Sequence, residues 1–195
     1  QEAVVRQLAF TVMLATFALV SGANAQSLNP GRPGPFVFDI RGATINLPTA
    51  ETLFPDLPTD ATVPGRGFGG SAGGHVYLFE LGPGRLGLGV DVLYSRGSTA
   101  DANSTMTSVD PQISFNFGTS EGWSNLSAGV GVTRISGDPG GVSESVRSFN
   151  WGGGARWFIK PHFGVGFDIR FHHLAAGDVL PKHTAVSIGA GFSLK

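Results

Sequence analysis

The side chains best suited to chemistry are few, and they gather late in the chain as His172, His173, Asp178 and His183. A base held by a carboxylate is half of a nucleophilic site, and His173 with Asp178 would supply that half. The other half is missing: no serine follows at short spacing, and the chain has no cysteine. The histidines keep none of the spacings that gather ligands around a metal. Without thiols there is also no disulfide framework and no thiolate site. No catalytic residue, metal site or cofactor is therefore expected, and His172, His173 and His183 are read as polar-rim residues.

A second set is scattered but shares a pattern: Asp39, Arg41, Asp91, Asp110, Arg156, Lys160, Asp168 and Arg170. Each falls on the small, polar side of a segment that alternates with period two. In the last segment Val186, Ile188, Ala190, Phe192 and Leu194 oppose Ala185, Ser187, Gly189, Gly191 and Ser193. Phe163, Val165, Phe167, Ile169 and Phe171 oppose Gly164, Gly166, Asp168, Arg170 and His172. The same split starts near residues 36, 67, 86, 112, 126 and 150, which predicts eight strands. The recurring apolar-Gly-apolar-Gly pattern precedes no helix, so it marks tight space on one strand face rather than a nucleotide-binding turn.

Composition narrows the surroundings. Of 195 residues only 14% are charged, 41% are hydrophobic, and the formal net charge is −1. A disordered chain needs less apolar content, and a nucleic-acid binder needs a basic patch. At the start, Arg6, the apolar run 8–20 and Ala23-Asn24-Ala25 read as a signal peptide over 1–25. Residues 26–35 then form a short periplasmic segment, and 36–195 the strands. The connections alternate: a long one over about 46–65, short at 81–84, polar near 97–104, short at 118–122, then 137–145, 160–162 and 174–183. Long loops at one end and short turns at the other are the habit of outer-membrane barrels. An all-β fold follows, an eight-stranded antiparallel up-and-down transmembrane barrel with both mature termini on the periplasmic side.

The large apolar face should point outward. A water-exposed exterior would carry many Lys and Glu, which these strands lack. Aromatics also fall near strand ends: Phe36, Phe38, Phe117, Trp157, Phe163 and Phe192 toward the turns, Phe68, Tyr94, Trp151 and Phe171 toward the loops. Two such girdles fit the membrane interfaces. The alternative turns that face inward, as in a soluble, secreted lipocalin-like carrier. Inward charges in a narrow barrel must pair, either as a plug or as an ion gate or proton path.

With the strands placed, the chain resembles the small eight-stranded outer-membrane barrels of the OmpA-transmembrane and OmpX-like group. The likeness covers about 36–195 and includes Asn150-Trp151-Gly152-Gly153-Gly154-Ala155-Arg156-Trp157-Phe158. It implies outer-membrane lipids as surroundings, the barrel-assembly machinery during insertion, and charge pairing inside. Some such barrels modify lipid A with rim His and Ser residues, but the His-x-Ser pattern is absent here. Two departures stand out. The chain ends Phe192-Ser193-Leu194-Lys195 rather than in an aromatic, and it begins with Gln1, which suggests a sequence clipped at both ends. Pro111 lies inside a strand, where a bulge or a later strand start is expected. A surface partner, if any, would meet loop 46–65, whose Leu53, Phe54, Leu57 and Val63 form a sticky patch or pack over the mouth.

Overall fold

The computed structural model describes residues 33–195. The expected signal peptide at 1–25, and most of the segment 26–35, lie outside the described residues. The strands are β1 (Phe36–Asn46), β2 (Arg66–Leu81), β3 (Gly84–Ser98), β4 (Asn103–Gly118), β5 (Gly122–Asp138), β6 (Val142–Lys160), β7 (Phe163–Leu174) and β8 (His183–Leu194). Each pairs antiparallel with its sequence neighbour, and β1 pairs with β8, so the sheet closes. Closure removes every edge, and eight strands leave an interior only wide enough for side chains.

The alternation resolves into two walls. Ile40, Leu88, Ile113, Leu126, Val130 and Ile188 are each more than half exposed, while Asp39, Ser108, Ser114, Asn150 and Thr133 are sealed inside. Such an exterior is unfavourable in water and favourable in hydrocarbon, where the closed ladder also satisfies the backbone. The expected girdle aromatics keep to the outer wall. Glycine on the inner wall makes room for neighbours: a Cβ on Gly89 would run into the His75 ring, which lies across it.

Three expectations need correction. The polar stretch near 97–104 is half strand and that near 137–145 mostly strand, because β3–β4 and β5–β6 stay paired to tight turns at 99–102 and 139–141. Lys160 does not face the lumen. Phe158 keeps the inward phase of Arg156, but a register shift between Phe158 and Lys160 then breaks the alternation and leaves Lys160 exposed. Pro111 produces neither a bulge nor a late start. Strand β4 runs through it in one register, Asp110 and Pro111 alone drop out of the ladder to β5, and the proline ring points outward.

Both ends of the lumen are closed by apolar side chains. At the loop end, Leu47, Leu53 and Phe54 from the β1–β2 loop pack on Leu93, Met106, Ile135, Leu174 and Leu180. Glu144 holds the β7–β8 loop by accepting the backbone N–H groups of Asp178, Val179 and Leu180. The Thr52 hydroxyl donates to the Val179 carbonyl, and the Thr62 N–H donates to Asp101, tying the loops together. At the turn end, Val37, Tyr77 and Trp123 form a smaller cluster with Phe158. The Lys195 ammonium sits 4.0 Å from the Phe158 ring centre, close enough for a cation–π attraction.

Leu53 is fully buried and Leu57 only partly so. Leu53→Ala should therefore cost about 2–4 kcal/mol in urea unfolding from lipid vesicles, and Leu57→Ala well under half as much. Equal effects would mean that the loop does not cap the barrel.

Candidate functional site

Between the two apolar ends the lumen holds a polar column. The period of two aims every second residue of each strand inward, so charges far apart in sequence meet there. Asp39 of β1 is the hub. Its carboxylate accepts Arg156 Nε at 2.9 Å and Nη2 at 2.6 Å, from a strand on another side of the barrel. It also accepts the Ser193 hydroxyl at 2.6 Å and lies 2.9 Å from Arg41 Nη2. Arg156 is 1% exposed, and its remaining terminal nitrogen, Nη1, donates to Asn125 at 2.9 Å. Such a fork-to-fork pair is short, directional and, once buried, costly to break on one side.

Toward the loop end the column continues through weaker contacts. Asp168 lies 3.7 Å from Arg41 and 3.6 Å from Arg170. Arg170 donates to Asn150 at 2.8 Å and to Ser127 at 3.0 Å. Gln112 joins this group by donating to Asn150 at 3.1 Å, and His75 contacts Gln112 at 3.3 Å. Asp110 is held by the hydroxyls of Ser108 and Ser148, at 2.5 and 2.9 Å. Asp91 pairs directly across β3–β4 with Asp110. It lines a cavity of about 10 Å3 with Asp168, Arg170, His172 and Ser187, a space at the lower limit for one water molecule.

The predicted inward charges Asp39, Arg41, Asp91, Asp110, Arg156, Asp168 and Arg170 all line this column, and Lys160 alone does not. Their neutral partners Asn125, Asn150, Gln112, Ser127 and Ser193 carry no charge that marks them in the sequence. Their inward phase is the signal that places them in the lumen.

The histidines are not brought together. His172 is inside the lumen, 3.1 Å from Ser187. His183 starts β8, and His173 stands on the outer wall. The expected His173–Asp178 pair does not form. His173 instead accepts the Trp151 indole N–H at Nε2, 3.0 Å away, and its Nδ1 lies 2.9 Å from the Thr184 hydroxyl. An indole nitrogen only donates, so Nε2 must be the bare acceptor and Nδ1 must carry the proton. The ring then donates to Thr184 and cannot act as its base. Among the described residues no group of His, Asp and Glu could hold a metal ion.

The sequence matches the family described as outer membrane protein beta-barrel domain over residues 13–193. The chain belongs to that family. Solved barrels share its fold. Neisserial surface protein A matches at 14% identity and a TM-score of 0.60, over 83% of this chain and 97% of that one. Ail, the attachment invasion locus protein of Yersinia pestis, matches at 15% and 0.52, over 83% and 99%. The outer membrane protein OprG of Pseudomonas aeruginosa matches at 9% and 0.53, over 85% and 97%. No curated protein matches the sequence. As in other outer-membrane barrels, the membrane is crossed by strands, and among the described residues no helix is long and apolar enough to do so. At these identities the likeness concerns the fold, and a fold of this kind hosts many functions.

The column separates its acids by bonding. Asp39→Asn breaks the fork to Arg156 and should lower unfolding stability by about 3 kcal/mol or more. Asp91→Asn removes a carboxylate opposite another carboxylate and should be neutral or stabilising. Urea unfolding of both variants in the same vesicles checks the order, and Asp91→Asn proving the worse would refute it.

Proposed function

We propose that this outer-membrane protein is a closed, non-conducting and non-enzymatic barrel that serves a structural or surface-interaction role. The loop end faces outward and both ends of the barrel chain lie in the periplasm, as short turns and longer loops are arranged in this class. The observation that carries the reading is the filled lumen, an ion-paired column between two apolar caps. The charged residues of the column then act as a plug, not a gate.

Two further observations support it. The outer-wall histidine is held in the tautomer that cannot activate Thr184, which removes the best nucleophile–base pair on the wall. Leu53 and Phe54 are turned down into the mouth, so loop 46–65 offers no sticky apolar patch. Its exposed face carries Glu51, Asp56 and Asp60, and a surface partner docking there would meet acidic groups. The neighbouring proteins' descriptions as a surface protein and an attachment protein fit a role at that face.

Planar bilayers containing the refolded protein test the plug. No discrete channel openings are expected from the wild type or from Asp168→Ala, because the Asp39–Arg156 fork and both caps remain. Openings in the wild type would contradict the reading, and openings only in Asp168→Ala would convert the plug into a gate.

A further inference from the structure

The outer wall is not uniformly convex. A groove of about 700 Å3 runs across it on the loop half of the barrel, within the range of pockets that hold small organic molecules. The register explains it. One lateral row reads Val90, Pro111, Val130, Phe149, His173, and the next reads Val92, Val109, Val132, Arg147. Across β3, β4 and β5 every outward side chain in these rows is valine or proline, so the floor is low. Phe149 and His173, ring centres 6.1 Å apart and stacked, raise one wall. The floor also contains the place where Asp110 and Pro111 leave the β4–β5 ladder.

The loop-end margin of this groove is cationic. Arg147 and Lys182 both line it, and both are exposed. The acid nearest in sequence to Arg147 is committed elsewhere, since Glu144 caps the amides of the β7–β8 loop. Neither cation has an ion-pair partner among the described residues. An unpaired cation on a hydrocarbon-facing wall is unfavourable at depth and tolerated at headgroup level, where a phosphate can complete it.

We infer that this groove binds one phosphorylated membrane lipid, with an acyl chain along the valine floor and the phosphate between Arg147 and Lys182. The inference goes beyond the plug, because it concerns the opposite face of the strands and survives whether or not the lumen conducts. Apolar burial supplies affinity, and the two cations select lipids with a charged phosphate over lipids with the same chains and none.

Native mass spectrometry of the refolded protein, released from detergent containing dimyristoyl phosphatidic acid or dimyristoylglycerol, tests it. The wild type should retain one phosphatidic acid about tenfold more than the glyceride. Arg147→Ser with Lys182→Ser should abolish that preference, and Val130→Trp should reduce retention of both lipids by filling the floor. A heat-dependent gel shift reports folding of each variant, and Arg147→Gln with Lys182→Gln replaces the serine pair if the latter does not fold. Equal retention of the two lipids by the wild type, or an unchanged preference in the folded double variant, would overturn the site.

Discussion

Everything in this molecule depends on one constraint: a backbone crossing hydrocarbon must find its hydrogen-bond partners within the protein. Strands meet that constraint only when the sheet has no edge, and here the β1–β8 pairing supplies the last seam. Closure with so few strands fixes the diameter, and the diameter dictates what can stand inside. Glycine and serine fill the tight layers, and larger inward side chains must interlock. The wall and the lumen are therefore two consequences of one geometry, not separate designs.

Charge inside such a space is stable only as a network. Asp39 illustrates this: one carboxylate receives a guanidinium fork, a second arginine and a hydroxyl, contributed by β6, β1 and β8. The fork reaches across the barrel where no backbone bond can, so it constrains strands that are not neighbours. The apolar caps keep bulk water away from the column, which strengthens the pairing and raises the cost of leaving any member alone. On the outer face the same logic is inverted. Polar groups there bond locally, as Trp151 and His173 do.

Much of this was legible in the sequence, because a period of two is a direct record of which wall a residue joins. The phase placed Asp39, Arg156 and Arg170 inside and Ile113 and Leu126 outside without any structure. What the phase could not show was which groups would bond, since Asp39 and Arg156 lie 117 positions apart. Nor does alternation record its own interruptions. The shift at Phe158 moves Lys160 outward, and nothing in the local sequence marks it. Pro111 was legible as a disturbance but not as its form, because losing two ladder positions proved sufficient without a bulge. The β1–β2 loop shows the same limit. Its leucines and phenylalanine are equally at home in a sticky patch or a cap, and only the packing on Met106 and Ile135 decides.

The central claim is the direction of the two walls, and a spin-label scan along β5 tests it most directly. The native chain has no cysteine, so single cysteines can be placed at each position from Leu126 to Val132 and labelled without background. In lipid bilayers, collision with oxygen should peak at positions 126, 128, 130 and 132 and fall at 127, 129 and 131. Collision with a water-soluble relaxation agent should stay low at all seven. The opposite phase, with 127, 129 and 131 facing lipid, or free access of the water-soluble agent to them, would contradict a closed barrel with its apolar wall outward.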